Sequence, residues 1–332
     1  MRHGHATQMA MMMTVAATVV GAAVCVSART PRTSQAPQAA QAPQTPRADA
    51  ARVALTFDDL PNHGPLPQGL TRVDIATRII AALRQRNAPP IYGFINAKGL
   101  ETEPGSDAVL KLWRAAGFPL GNHAFSHMDL HANPADAFEQ DILGNETTLR
   151  TFMGDQDWHW FRYPYLREGD TADKYHAVRG FLKEHGYSVA EVTLSFDDYA
   201  YNEPYARCLA KGDTKGIEWL KDSYLTRAGE SLTRGQEQAR TAFGHDIPHI
   251  MLLHIGGFET VMVPRLLDLL QQRNFTLITL QEAAKDPAYA QEPTLTANWN
   301  GSLLQQWLTA RHVPPAPRPS PSIFEQLSAV CR

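Results

Sequence analysis

The chain has 332 residues, 43% hydrophobic and 20% charged, with a net charge of −3 from 31 basic and 34 acidic side chains. That composition can bury a sizeable core. It describes a soluble globular protein and gives no support for a nucleic-acid partner, whose footprint is a strongly basic face.

The opening "MRHGHATQMAMMMTVAATVVGAAVCVSA" joins Arg2, an apolar run over residues 9–26 and a small-residue end at Val26-Ser27-Ala28. This pattern predicts an export signal over residues 1–28, hence a periplasmic or extracellular protein with no stable membrane insertion after cleavage. An uncleaved anchor is the alternative, because the run is near the lower length for spanning a bilayer. Val24 fits poorly as the small residue expected before a lipoprotein Cys25. Residues 29–50 hold Pro, Gln and Ala but no large apolar side chain, which predicts a disordered linker.

Strands and helices then alternate. "RVALTF" reads as a short buried strand and "LPNHGPLPQG" as a loop. "TRVDIATRIIAALRQRN" places Val73, Ile75, Ile79, Ile80 and Leu83 at helical spacing. "PPIYGFINA" is a second strand, "DAVLKLWRAAG" a helix closed by Gly117, and "FPLGNHAFSH" a third strand running into a loop. "NPADAFEQDILGNETTLRTFMG" predicts one long helix, starting near Asn133 or Asp136 and stopped by Gly154. "WHWFRYPYLREG" is strand then loop, "DKYHAVRGFLKEHG" helix and "YSVAEVTLSFDD" strand. "PHIMLLHIGG" is strand, "TVMVPRLLDLLQQRN" helix, and "FTLITLQEAA" strand then helix start.

This alternation predicts an α/β fold over residues 51–285, barrel-like with about seven parallel strands rather than a two-sided open sheet. Residues 203–246 interrupt the repeat as an insertion of two helices. Residues 286–332 form a Pro-rich C-terminal extension with one amphipathic piece, "SLLQQWLTA". Beyond the signal, Cys208 and Cys331 are either bonded to each other or two free thiols.

Barrel chemistry gathers at the C-terminal ends of the strands. There the sequence sets Asp58 and Asp59, then Asn96, His123 and His127, Arg162 and Tyr165, Asp197 and Asp198, and finally His254. His123 and His127 are four apart, so one helical turn would bring both imidazoles to one side. Two histidines and a carboxylate are a common ligand set for a divalent transition metal with open positions. Polar surface is the alternative for the pair alone; the double aspartate on another strand end favours the metal site. His131 extends the spacing as a ligand or a surface residue. His63 reads as a loop histidine or a substrate contact, and Lys98 and Glu101 as solvated charges. Trp158, Trp160, Tyr163, Tyr165, Tyr199 and Tyr201 are either core or stacking faces for sugar rings.

"TFDD", "HAFSH", "RYPY", "FDDY" and "LLH" occur in the order seen in polysaccharide deacetylases, the carbohydrate esterase family 4 or NodB-homology group, which the chain resembles from Thr56 to His254. The resemblance implies a distorted barrel and one divalent metal, most often Zn2+, with Co2+, Ni2+ or Mn2+ as alternatives. It implies an acetylated carbohydrate partner, such as a chitin-like or cell-wall glycan, and leaves the oligomeric state open. Carried over by motif, Asp58 is the general base and Asp59 the metal ligand with His123 and His127. Arg162 orients Asp58, the Tyr165 N–H faces the developing oxyanion, Asp198 orients His254, and His254 is the general acid. Amide hydrolysis needs this division, because the amine leaves only once protonated while the attacking water must lose a proton. Arg162 beside Asp58 and Asp198 beside His254 are expected to shift the two pKa values in those directions. Three positions depart from the family pattern: Tyr199 stands for tryptophan, Ser195 for aspartate and Met128 for proline.

The leading expectation is a metal-dependent N-deacetylase of amino-sugar polymers or oligomers. An O-acetyl esterase on hemicellulose would use the same residues. A catalytically weak carbohydrate-binding protein would not need the full set, and a non-haem iron oxygenase would need neither the partner aspartate nor the R-x-P-Y segment.

Overall fold

The computed structural model describes residues 50–314 and 322–332; the predicted export signal, and the predicted linker up to residue 49, lie outside them. In chain order come β1 (Ala51–Leu60), α1 (Arg72–Gln85), β2 (Tyr92–Ile95), α2 (Lys98–Thr102), α3 (Asp107–Ala115) and β3 (Leu120–Asn122). There follow α4 (Ala135–Gly144), α5 (Glu146–Met153), β4 (Trp160–Phe161), β5 (Arg167–Thr171), α6 (Ala172–Glu184) and β6 (Ser188–Val189). The chain continues through α7 (Asn202–Lys211), α8 (Thr214–Phe243), β7 (His249–His254), α9 (Glu259–Gln272), β8 (Phe275–Leu277) and α10 (Leu280–Ala283). It ends with β9 (Ala297–Asn300), α11 (Leu303–Ala310) and α12 (Ile323–Ala329).

Seven strands form one parallel sheet in the order β6-β4-β3-β2-β1-β7, with β8 against the start of β1. β1 is central. Val53, Ala54, Leu55 and Phe57 are all buried, as expected of a parallel strand covered on both faces. The chain beyond β6 reaches β7: Leu194 bridges Met251, and Leu252 N–H donates to Leu194 O at 3.0 Å. That segment closes the curled sheet, and the barrel-like α/β fold expected from the alternation, with the distortion the resemblance implied, is the fold observed. Gly235 of α8 lets the helix lie against this closure, since a Cβ there would sit 2.2 Å from Leu194 Cδ2.

The helices pack outside on apolar stripes. α1 starts with a Thr71–Asp74 capping box and buries Ile75, Ile79, Ile80 and Leu83. The single long helix expected over 133–154 is instead two, α4 and α5, meeting at Asn145. Asn145 is fully buried and its amide bonds Ala97 N–H, Ile95 O and Asn122 Oδ1, so its side chain serves the sheet at the break. A small antiparallel sheet of β5 and β9 was not expected; it ties the C-terminal region to the barrel. Trp299 of β9 stacks on Tyr175 of α6 with centroids 4.4 Å apart. Cys208 and Cys331 are joined in a disulfide, which excludes the free-thiol alternative. Among the described residues no helix is long and apolar enough to cross a membrane.

Candidate active site

Near the end of β1, Asp58 and Asp59 both come within 3.5 Å of His123 Nε2 but are held by different groups. Asp58 is 1% exposed and meets Arg162 Nη1 at 3.1 and 3.2 Å. The Arg162 guanidinium, equally buried, also donates to Thr56 Oγ1 at 3.1 Å and Ala190 O at 2.7 Å and lies 4.7 Å over the Phe94 ring. Every edge of the fork is therefore fixed, which is how a buried arginine holds a carboxylate in one orientation. Thr56, a residue not singled out from sequence, braces the fork and donates to Met251 O at 3.0 Å.

Asp59 turns away because its backbone is left-handed, with φ 66°. Its Oδ1 lies 3.5 Å from His123 Nε2 and 3.4 Å from His127 Nε2. Asp59, His123 and His127 offer ligand atoms all within 4.8 Å of one another, and His131 lies outside this group. The two histidines do not share a helical turn, contrary to the expectation from their spacing. His123 follows β3 and His127 follows a bend at Phe125 and Ser126, with Ala124 and His127 both at φ 58°. Two left-handed residues fold the loop back and bring the rings to 4.9 Å. Two amides pin that loop: half-buried Asn96 Nδ2 donates to His123 O and Ala124 O, and buried Asn122 Oδ1 accepts from Ala124 N–H.

The donor set fits a divalent ion. Asp59 Oδ1 is buried with no hydrogen-bond partner, an expensive arrangement unless something positive meets it. His123 Nδ1 lies 2.7 Å from Arg162 O, so that nitrogen carries the proton and Nε2 keeps its lone pair toward Asp59. Burial first of all pushes both His123 and His127 down to about 4, leaving the neutral imidazoles that metals bind.

Across the site, Asp58 and His254 are register partners on the adjacent strands β1 and β7. Asp198, fully buried, accepts from the His254 backbone N–H at 2.7 Å and lies 3.0 Å from its Nδ1. Burial opposes charge on His254, but the Asp198 charge and hydrogen bond outweigh it, and the imidazole is pushed up to about 10. Asp58 departs from expectation. Burial pushes its carboxyl up to about 6, outweighing the pull of Arg162 and then His254. Arg162 limits the rise rather than producing a net fall.

His63 is the main residue that sequence reasoning undervalued. Its Nδ1 lies 2.7 Å from Asp59 Oδ2, and its ring is 5.0 Å from that of His254. On Asp59, burial favours the neutral acid, but the His63 hydrogen bond and the charges on His254, His63 and His127 hold the carboxyl well below the usual range. The four-residue spacing from Asp59 was the available signal. Lys98 and Glu101 are exposed, as solvated charges would be. The aromatic residues divide: Trp158, Tyr163 and Tyr201 are core, while Tyr165 and Tyr199 are 56% and 40% exposed. Tyr165 packs on the His127 ring at 4.4 Å from a left-handed turn, φ 59°. Asp197 bonds Arg227 at 2.7 Å and takes no part in the His254 pair.

The fold is thus a parallel α/β barrel carrying a histidine–aspartate cluster, with Asp58 and His254 beside it at the C-terminal ends of β1 and β7. Residues 45–190 match the family model described as polysaccharide deacetylase. Over those residues the chain resembles the polysaccharide deacetylases. Among solved structures it is similar to a chitin deacetylase from the fungal pathogen Colletotrichum lindemuthianum, with 21% identity, TM-score 0.47, and 71% of this chain and 88% of that chain covered. A peptidoglycan deacetylase from Bacillus subtilis is 18% identical at TM-score 0.46, covering 72% of this chain and 94% of its own. A family 4 pseudoenzyme from Bacillus anthracis is 15% identical at TM-score 0.48, covering 71% and 66%. No curated protein matches.

Proposed function

We propose that the protein is an exported, metal-dependent hydrolase that removes N-acetyl groups from amino-sugar polymers or oligomers. One observation carries this reading: Asp58, paired with Arg162, and His254, paired with Asp198, occupy the same rung of adjacent strands, beside the Asp59–His123–His127 cluster. Asp59, His123 and His127 would hold the ion, with zinc the best match to two imidazoles and a carboxylate. A divalent ion held there supplies a more acidic water and polarises the acyl carbonyl.

The chain's own groups do the rest. Asp58, fixed by Arg162, accepts the proton of the attacking water. The Tyr165 N–H donates to the oxygen that gains negative charge. His254, kept protonated by Asp198, gives a proton to the departing amine nitrogen. Burial sharpens each interaction by excluding water. Export accounts for a disulfide in a two-cysteine mature chain. The unit from residue 51 to 285 is the catalytic domain in this reading, with 203–246 inserted in it and 286–332 appended.

The direct test is acetate release from N-acetylglucosamine oligomers, peptidoglycan and acetylxylan. Release from the first two is expected. Release from acetylxylan alone would replace the reading with an O-acetyl esterase, and sugar binding without release would replace it with a binding protein.

Two further outcomes follow from the geometry. Asp198→Asn removes the charge that raises His254, so the alkaline limb of kcat/KM should move to lower pH by about one to three units. A pH profile of the variant whose alkaline limb stays in place would detach Asp198 from that role. His63 steadies Asp59 from behind, so His63→Ala should weaken zinc binding by about 10–100-fold, as loss of a group bonded to a ligand does. Calorimetric zinc titration measures this, and unchanged affinity would make His63 a bystander.

A further inference from the structure

Beside the candidate site, a cavity of about 340 Å³ opens between the loop after β1, α7 and α12. His63, Tyr199, Glu203, Arg207, Phe324 and Ser328 line it, so the C-terminal helix forms one wall. We propose that this cavity, walled by α12, is a subsite for a neighbouring sugar ring of the glycan whose acetyl group meets Asp58 and His254. The proposal rests on the deacetylase reading for the identity of the glycan and on the following observations for the site.

The cavity is continuous with the chemistry. Tyr199 lies 5.3 Å from the His254 ring, 6.2 Å from the His63 ring and 6.5 Å from the Phe324 ring. His63 itself bonds Asp59. Tyr199 and Phe324 are 40% and 48% exposed, two large apolar faces left open to water. A pyranose has an apolar face of C–H groups and an edge of hydroxyls. Here the aromatic faces meet a polar rim of Glu203, Arg207 and Ser328, the same division of surface. Glu203 and Arg207 pair at 2.7 Å, so the rim is charge-balanced and suits a neutral ring better than an anion or a cation. A protein partner needs far more surface than this cavity presents. A larger cavity of about 480 Å³ along α8 shares no residue with the candidate site.

The wall is held in place. α12 has seven residues, too few to persist unaided. Arg207 Nη2 donates to Leu327 O and Val330 O at its C-terminal end, and Cys208, the next residue of α7, is bonded to Cys331. A Ser322–Glu325 capping box closes its other end. Phe324 is therefore presented in advance of binding, which reduces the ordering cost of capturing a sugar.

Calorimetric titration with the hexamer and the dimer of N-acetylglucosamine tests the proposal on the full chain. Wild type should bind the hexamer more tightly than the dimer. In Phe324→Ala the hexamer-to-dimer affinity ratio should fall about two- to tenfold, the worth of one stacking contact. Cys331→Ser, which frees α12 without touching its face, should lower the same ratio. A wild type that does not favour the hexamer, or a ratio unchanged in Phe324→Ala, overturns the subsite. An intact ratio dependence with no acetate released from any glycan upholds the subsite and overturns the deacetylase reading instead.

Discussion

Asp58→Asn is expected to lower kcat/KM for acetate release by about 10²–10⁴-fold, the range for loss of a positioned general base. Bound metal should be retained, because Asp58 is not one of the three clustered donors. The choice of asparagine matters. Arg162 is fully buried, and Asp58→Ala would leave its charge without a counter-ion at a cost of about 3–5 kcal/mol. Asparagine keeps an oxygen facing Nη1 and removes the proton acceptor, so the effect reports on catalysis rather than on folding. Acetate release at the wild-type rate would remove Asp58 from the role of base.

His123→Ala should abolish metal retention and acetate release together. His123 is 2% exposed and is the donor most firmly oriented, by Arg162 O behind it. Losing a donor should exceed the penalty of about 10–100-fold for losing a group behind one, so the variant should lose its metal on dialysis. Elemental analysis of the dialysed protein decides the matter. A full equivalent of metal in His123→Ala would take His123 out of the ligand set.

The barrel was legible because its signals were local and repeated. Apolar runs such as "VALTF" and "HIMLLH" alternated with amphipathic stretches, and a parallel sheet follows from that alternation. Most of the ionisable residues were legible for the same reason: they follow apolar runs read as strands, and strand ends converge in a barrel, although Asp198 lies well beyond β6. The means by which His123 and His127 meet was not legible. A spacing of four suggested a helical turn, whereas left-handed Ala124 and His127 make the loop, held by Asn96 and buried Asn122. Nothing in local sequence marks a backbone conformation that tertiary hydrogen bonds enforce.

Long-range partners were hidden in the same way. The split of the expected helix at Asn145 depends on bonds to Ala97 and Asn122, far away in sequence. β5 pairs with β9 across more than a hundred residues, and neither strand is apolar enough to announce itself. The Asp58 shift was misjudged because a sequence names the charged neighbour, Arg162, but not the depth of burial that outweighs it. His63 was weighed as a loop residue because its bond to Asp59 exists only once Asp59 has turned.

The central claim is that one divalent ion, held by Asp59, His123 and His127, works with Asp58 and His254 to deacetylate an amino-sugar glycan. Its most direct test is acetate release from an N-acetylglucosamine oligomer by protein stripped with a chelator and then titrated with zinc. The expected result is no release from the stripped protein and full recovery at one zinc per chain. Undiminished release from protein shown by elemental analysis to be free of metal would contradict the account.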